Sequence, residues 1–222
     1  MDGQKAISDC LRIGDLIVIK CMKYDSFMMA DGLLFDDLHV CPREHIQCFE
    51  DSLFCIYLQR QYSASREYDE YMESIGTGQS SEAAAADKVQ LALKTGKDNE
   101  NALNDNYMAQ HLGKPVLFGD VVQLLHVKSG KFISVVPDKL ASQERENIYV
   151  TLSKGGNMYS WLTMGPRYRI DREGDKILSH KEVHIKVAQR PNEFIHCSDV
   201  AVDGGIFREA NCSLENTSMN CT

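Results

Sequence analysis

The stretch GDVVQLLHVKSGKFISV, residues 119–135, decides how the chain is read. It opens on Gly119-Asp120, alternates apolar residues, turns at Ser129-Gly130 and resumes as Phe132-Ile133-Ser134-Val135. That is the pattern of a β-hairpin with one face buried. Earlier in the chain GDLIVIKCMKYDSFMM, residues 14–29, writes nearly the same hairpin. A third and weaker version, HKEVHIKVAQRPNEFIHCS, occupies residues 180–198. There Val183, Ile185 and Val187 take the alternating apolar places and Arg190-Pro191-Asn192 takes the turn, while His180-Lys181 replaces the Gly-Asp opening.

The copies begin at residues 14, 119 and 180, so the first interval is longer than the second. The excess is about the length of residues 61–112, which read differently from the rest. Tyr68, Tyr71, Met72 and Ile75 follow the i, i+3, i+4, i+7 spacing of a helix. Gly76-Thr77-Gly78 breaks it. A second helix starts near Ser81-Glu82, with Ser80 or Ser81 as N-cap, and Val89 and Leu93 give it an apolar edge. Beyond Lys94 the polar run TGKDNENALNDN is either a solvated helix or a loop. Outside this insertion, strands are expected at 121–127, 132–136, 148–152, 159–164, 168–170, 176–178, 183–187 and 194–197. Repeats that cannot bury their own apolar face must pack on one another. The expected fold is therefore all-β: a β-trefoil of three similar units over residues 1–222, with an α-helical hairpin, the arm, inserted at 61–112. The Asn- and Ser-rich tail, with glycosylation sequons at Asn211, Asn216 and Asn220, reads as a loop.

A chain of 222 residues with 43% hydrophobic and 25% charged residues has the composition of a globular domain with a real core. Its net charge of −8 and the absence of any Lys/Arg run longer than two residues argue against nucleic acid as a partner. No run approaches the ~20 apolar residues that a membrane-spanning helix needs. The N-terminus lacks the apolar run of a signal peptide, so the eight cysteines read as reduced thiols of a cytosolic protein.

The stretch HVCPREHIQCFEDSLFC holds His39, Cys41, His45, Cys48 and Cys55, but in no paired CxxC spacing. Cys48 and Cys55 flank an apolar run and read as core thiols. Gly76-Thr77-Gly78 lacks the later glycine and the Lys-Ser/Thr of a phosphate loop, and DNENALNDN lacks the central glycine of a calcium loop. No constellation supports an enzyme, a metal or a cofactor. A lectin-like trefoil would repeat a Gln-x-Trp element, and this chain has a single Trp, Trp161.

With these motifs in place, FGDVVQLLHVKSGKFISV, NIYVTLSKGGNMYSWLTMGPRYRI and the RQYSASREY entry to the helices resemble the N-terminal suppressor domain of inositol 1,4,5-trisphosphate receptors. Ryanodine receptors carry a related N-terminal trefoil. The resemblance covers essentially the whole chain. It implies a regulatory module of a tetrameric calcium-release channel, on the cytosolic face of the endoplasmic reticulum membrane. Such a domain lowers the trisphosphate affinity of the binding core that follows it. It couples ligand binding to gating through that core and a neighbouring subunit, and family members have been linked to calmodulin. The resemblance places the contact with the binding core at Leu33, Leu34, Asp36 and Lys128. It places the gating loop from Trp161 to Tyr168, including Pro166, with the functional aromatic replaced by Thr163. It makes the arm, with Tyr68, Tyr71, Met72, Val89 and Leu93, a partner-binding lever. Family arginines are replaced by Leu38 and Glu50, and a change of charge at an interface changes partner choice. In the family a Trp-led strand beyond the position of Thr222 helps to close the trefoil.

Overall fold

The computed structural model describes residues 10–76 and 83–221. These residues are mostly β-sheet, with two α-helices, and the chain divides into two compact units. One is a β-body built from the segments on either side of the insertion. The other is Arg60–Leu112.

The body's strands in chain order are β1 (Leu16–Cys21), β2 (Ser26–Met29), β3 (His39–Cys41), β4 (Leu53–Leu58), β5 (Val121–His126) and β6 (Lys131–Leu140). They continue with β7 (Ile148–Lys154), β8 (Leu162–Pro166), β9 (Glu182–Val187), β10 (Arg190–Val202), β11 (Phe207–Ser213) and β12 (Met219–Cys221). Six of them pair in a closed antiparallel circuit, β1–β4–β5–β8–β9–β12 and back to β1. The other six form three hairpins, β2/β3, β6/β7 and β10/β11, which continue circuit strands β1, β5 and β9. The alternation seen in the sequence aims one face inward. Ile17, Ile19, Phe54, Leu124, Met164 and Ile185 are each at most 2% exposed, so this interior is the core.

The repeat is visible in the register. Lys20 faces Phe27 and Cys21 faces Ser26 in the first hairpin; Leu125 faces Phe132 and His126 faces Lys131 in the second. Both Gly-Asp openings make one device. Gly14 and Gly119 sit at φ 90° and 95°, which favours glycine. The following aspartate turns back to accept from a backbone N–H, Asp15 from Arg12 at 2.7 Å and Asp120 from Leu117 at 2.9 Å. Near these openings three segments join in a ring of hydrogen bonds: Leu11 N to Ile177 O, Ile177 N to Val116 O and Val116 N to Leu11 O, at 2.8–3.0 Å. All three side chains are buried.

Several expectations change. In the third copy β9 and β10 pair Val187 with Arg190, so Ala188-Gln189 makes the turn. Pro191-Asn192 lies in a register shift within β10, a bulge where the missing proline N–H costs no ladder bond. Residues 168–170 form no strand, and 176–178 contribute only the isolated bridges Leu117–Lys176 and Cys10–Leu178. Residues Met158–Ser160 form a 3-10 turn capped by Asn157. The tail is not a loop: it holds β11 and β12, and the sequon residues Asn211 and Asn220 are buried in them. Polar residues at inward positions hid these strands from an apolar-pattern reading. The place in the circuit between β9 and β1 is filled by β12, within this chain.

The second unit is an antiparallel pair of helices, α1 (Ser63–Gly76) and α2 (Ala83–His111). Ser80, Ser81 and the Thr77-Gly78 break lie outside the described residues. The polar run beyond Lys94 is continuous helix rather than loop, because its side chains reach α1. Lys97 pairs with Asp69 at 2.8 Å and its ammonium lies over the Tyr68 ring, 4.8 Å from the centroid. The Glu100 carboxylate accepts from Ser63 Oγ, Ala64 N and Ser65 N at 2.8–3.0 Å, capping the start of α1. Asn104 both accepts from Gln61 N and donates to Gln61 O. Among the described residues no helix is long and apolar enough to cross a membrane.

Candidate functional site

Between β2 and β3 the chain runs ADGLLFDDL, residues 30–38. At its tip Leu33, Leu34 and Phe35 are 63%, 82% and 68% exposed, three large apolar side chains in succession in water. A loop so apolar would normally collapse or fluctuate; ordering each residue costs about 1–2 kcal/mol. Here its stem is fixed by polar groups on both sides.

Within the loop, Asp31 Oδ2 accepts from Leu34 N at 2.7 Å and Gly32 N donates to Phe35 O at 2.8 Å. Around it, the second hairpin supplies two lysines, Lys128 from the turn between β5 and β6 and Lys131 from the first residue of β6. Lys128 Nζ donates to Asp31 Oδ1 at 2.9 Å and to Asp51 Oδ1 at 2.6 Å. Lys131 Nζ donates to the Gly32 carbonyl at 2.8 Å and to Asp36 Oδ1 at 2.6 Å. On the far side the Asp36 carbonyl accepts from Leu152 N at 2.9 Å and from Thr151 Oγ1 at 3.0 Å. The Tyr149 hydroxyl donates to Asp37.

The electrostatics follow from these contacts. The Leu34 N–H and then the Lys128 ammonium hold the Asp31 carboxyl below its ordinary value. Asp51 and then Asp31 raise the Lys128 ammonium well above its own. Burial, with the Asp37 hydrogen bond second, pushes the Tyr149 phenol up to about 12. His126 is fully buried and burial lowers it, so its neutral form is favoured. Its Nε2–H donates to the Asp51 carbonyl at 3.1 Å, leaving Nδ1 to accept from Ser129 Oγ at 2.9 Å. Gly32 packs against this pair. It sits at φ +70°, and a Cβ there would lie 2.7 Å from His126 Nδ1 and from Ser129 Cβ and Oγ. The position excludes a side chain on both counts. The site is an exposed apolar prong on a base of charged groups that pair with one another.

Leu33, Leu34, Asp36 and Lys128 are thus brought together, in different roles. The two leucines face solvent, whereas Asp36 and Lys128 turn into the base. Leu38, read as replacing an arginine, is 1% exposed and belongs to the core; Glu50 is exposed. Gly32 was placed in this element by the resemblance, whereas Asp51, His126 and Lys131 escaped the sequence reading. The HVKSGK turn of the second hairpin carried the one signal, two lysines where a tight turn needs none.

The Trp161–Tyr168 segment is not a loop along most of its length. β8 runs Leu162–Pro166 between β5 and β9, and Thr163 pairs with Val121 and Lys186. The irregular chain begins at Arg167. Tyr168 is 51% exposed, with its hydroxyl donating to Glu182 at 3.0 Å. In the arm, Tyr68, Tyr71 and Leu93 are half-buried, while Met72 and Val89 are exposed.

All eight cysteines are free thiols. Cys48 is not a core thiol: it is half-exposed and donates to Glu50 at 3.0 Å, and Cys55 is half-buried. Among the described residues no group of three or more His, Cys, Asp or Glu could hold a metal ion. A polar cavity of about 880 Å³ is lined by residues including Glu144, Arg190, Glu193 and His196. Its Glu144 carboxylate is already engaged by Asn147, Asn211 and the Asp199 N–H, and Glu193 by Arg190.

The chain is 29% identical over 185 residues to the inositol 1,4,5-trisphosphate receptor itr-1 of Caenorhabditis elegans; the match covers 79% of this chain and 6% of that receptor. The profile of one family, described as inositol 1,4,5-trisphosphate/ryanodine receptor, matches residues 6–222. A match over nearly the full length, on a β-body with an inserted helical pair, places the chain in the inositol 1,4,5-trisphosphate/ryanodine receptor family.

Proposed function

We propose that this chain is the β-trefoil suppressor module of a ligand-gated intracellular calcium-release channel. In this reading it lowers the trisphosphate affinity of the binding core that follows it in the same chain, and couples ligand binding to gating. The closed six-strand circuit, the three hairpins and the ring through Leu11, Val116 and Ile177 support the trefoil. The observation that carries the functional reading is the prong: three exposed apolar residues on a stem tied by Lys128 and Lys131. Its occupant is an apolar pocket on the following domains of the same polypeptide, since the chain spans 6% of the length of its worm relative.

Docking favours the bound arrangement of those domains. If that arrangement binds the trisphosphate less well, affinity falls by the coupling free energy, typically 1–3 kcal/mol. The base offers no free cationic pocket for a trisphosphate, as both lysines are held by carboxylates. The arm reaches a neighbouring subunit of a tetramer, and calmodulin is a candidate regulator. The channel stands in the endoplasmic reticulum membrane with this module on its cytosolic face.

The test is equilibrium trisphosphate binding to the full-length receptor with and without residues 1–222. Removal should tighten binding roughly five- to a hundredfold, and Leu33→Ala with Leu34→Ala should reproduce most of that change. Unchanged affinity on removal rejects suppression.

A further inference from the structure

Of the two lysines under the prong, one touches both of its legs. Lys128 binds Asp31 on the incoming leg and Asp51 in the body. Lys131 binds the Gly32 carbonyl on the incoming leg and Asp36 on the outgoing leg, closing the loop at its neck. Its ammonium is a charge-assisted donor to a carboxylate, and its side chain is 21% exposed. It starts β6 opposite His126, and its neighbour across the next pairing is Lys154, so its origin is a strand end and not a mobile loop. Above this neck the tip is closed by backbone amides alone, Leu34 N on Asp31 and Gly32 N on the Phe35 carbonyl, and the Asp36 carbonyl is held to the body by Thr151 and Leu152; the Lys131 ammonium is the side-chain donor that bonds both legs.

We infer that Lys131 is a positioning residue for the docking of Leu33, Leu34 and Phe35: its ammonium staples the two legs of the loop, so that the apolar tip is presented in one conformation. This rests on the suppressor reading above. The inference has a physical basis in pre-organisation. A tip already ordered in the free protein binds without paying the ordering cost at the moment of docking. The Lys131 ammonium is already bonded to both legs, so its effect is expected to pass through the tip residues.

The experiment uses the full-length receptor. Lys131→Met keeps the aliphatic stem and removes the ammonium. The expected result is trisphosphate binding tightened roughly fivefold or more, with Leu34→Ala on the Lys131→Met background adding little. Lys131→Arg, which keeps charged donors, should stay near the parent. Hydrogen exchange should show faster exchange at Gly32 and Leu34, whose amides are bonded within the tip, with no change in the β5 and β9 amides. Should Lys131→Met fail to fold, Asp36→Asn opens the same neck from the other leg. If Leu34→Ala tightens binding and Lys131→Met does not, the staple is overturned and the suppressor reading stands. Full additivity of the two substitutions also overturns it, because Lys131 would then act independently of the tip. If neither substitution nor removal of residues 1–222 changes affinity, the suppressor reading itself fails.

Discussion

In the β-body the largest fully buried side chains include Phe54, Ile17, Ile19, Met28 and Leu38, all apolar. In the arm, the one buried side chain among the described residues is Asn104. The body is held by area removed from water, about 25 cal/mol per Å² of apolar surface. The arm is held by polar cross-links between two helices: Glu100 on the start of α1, Asn104 on the backbone of Gln61, Lys97 on Asp69 and Arg60 on Asp105. Each such link contributes about a kcal/mol or less when exposed. The difference teaches where rigidity comes from in this chain. The body tolerates a costly exposed prong because its core carries the stability, and the prong's base borrows the arm's device of charged groups bonded to backbone.

The largest effect should come from the core. Phe54→Ala empties a fully buried site between β1 and β5 and should cost about 3–5 kcal/mol. A denaturant titration following body fluorescence measures it; a loss under about 1 kcal/mol would mean that the core is not the body's main support.

Gly32→Ala comes next. The added Cβ collides with His126 and Ser129 at a left-handed φ, and strain of this kind costs about 1–3 kcal/mol. Thermal unfolding gives the size. Hydrogen exchange in residues 31–36 shows whether the prong's base opens as expected, and a neutral substitution would show that the base is soft.

Glu100→Gln weakens a charged cap and should cost the arm about 1 kcal/mol or less. The loss should appear in exchange of the Ala64 and Ser65 amides and leave the body's amides unchanged. Loss of protection in both units together would erase the distinction between them. The same group gives a pH dependence. Burial raises the Glu100 carboxyl, but the Ala64 and Ser65 N–H groups outweigh it and the net shift is downward. A folded value below the ordinary 4.5 means that the cap contributes fully above that pH and is lost as pH falls through the depressed value. Helical circular dichroism should therefore fall in that acid range in the parent and show no such step in Glu100→Gln.

The smallest effect should be Leu103→Ala. Leu103 is 69% exposed on α2, so its truncation should change arm stability by less than about 0.5 kcal/mol. A cost above about 1 kcal/mol would reveal apolar packing in the arm that Asn104 and Glu100 do not account for.

Hairpins one and two were legible because the β-period of two and the Gly-Asp opening are local signals, written within a few residues. The helical pair was legible for the same reason, and its polar second half was not. Glu100, Asn104 and Lys97 are solvated residues in a linear reading and become structural only when α1 lies beside them. β11 and β12 were lost because Asn211, Ser213 and Asn220 stand at buried positions, where their polarity imitates a loop. At the site, Leu33 and Leu34 were found through a resemblance. Their clamp was not: the Lys131–Asp36 contact spans 95 residues.

The sequence by itself determined the thrice-written hairpin, the interrupting helices and the left-handed glycines at the first two openings, because each depends on the conformational preferences of neighbouring residues. Only the tertiary structure decided that Leu38 lies in the core while Leu33, Leu34 and Phe35 stand outside it. It alone decided that Lys128 and Lys131 turn inward to carboxylates, and that an Asn-rich tail completes the strand circuit. Those outcomes depend on which distant groups meet in space, and a charged or polar side chain carries no mark in the sequence of the partner that will satisfy it.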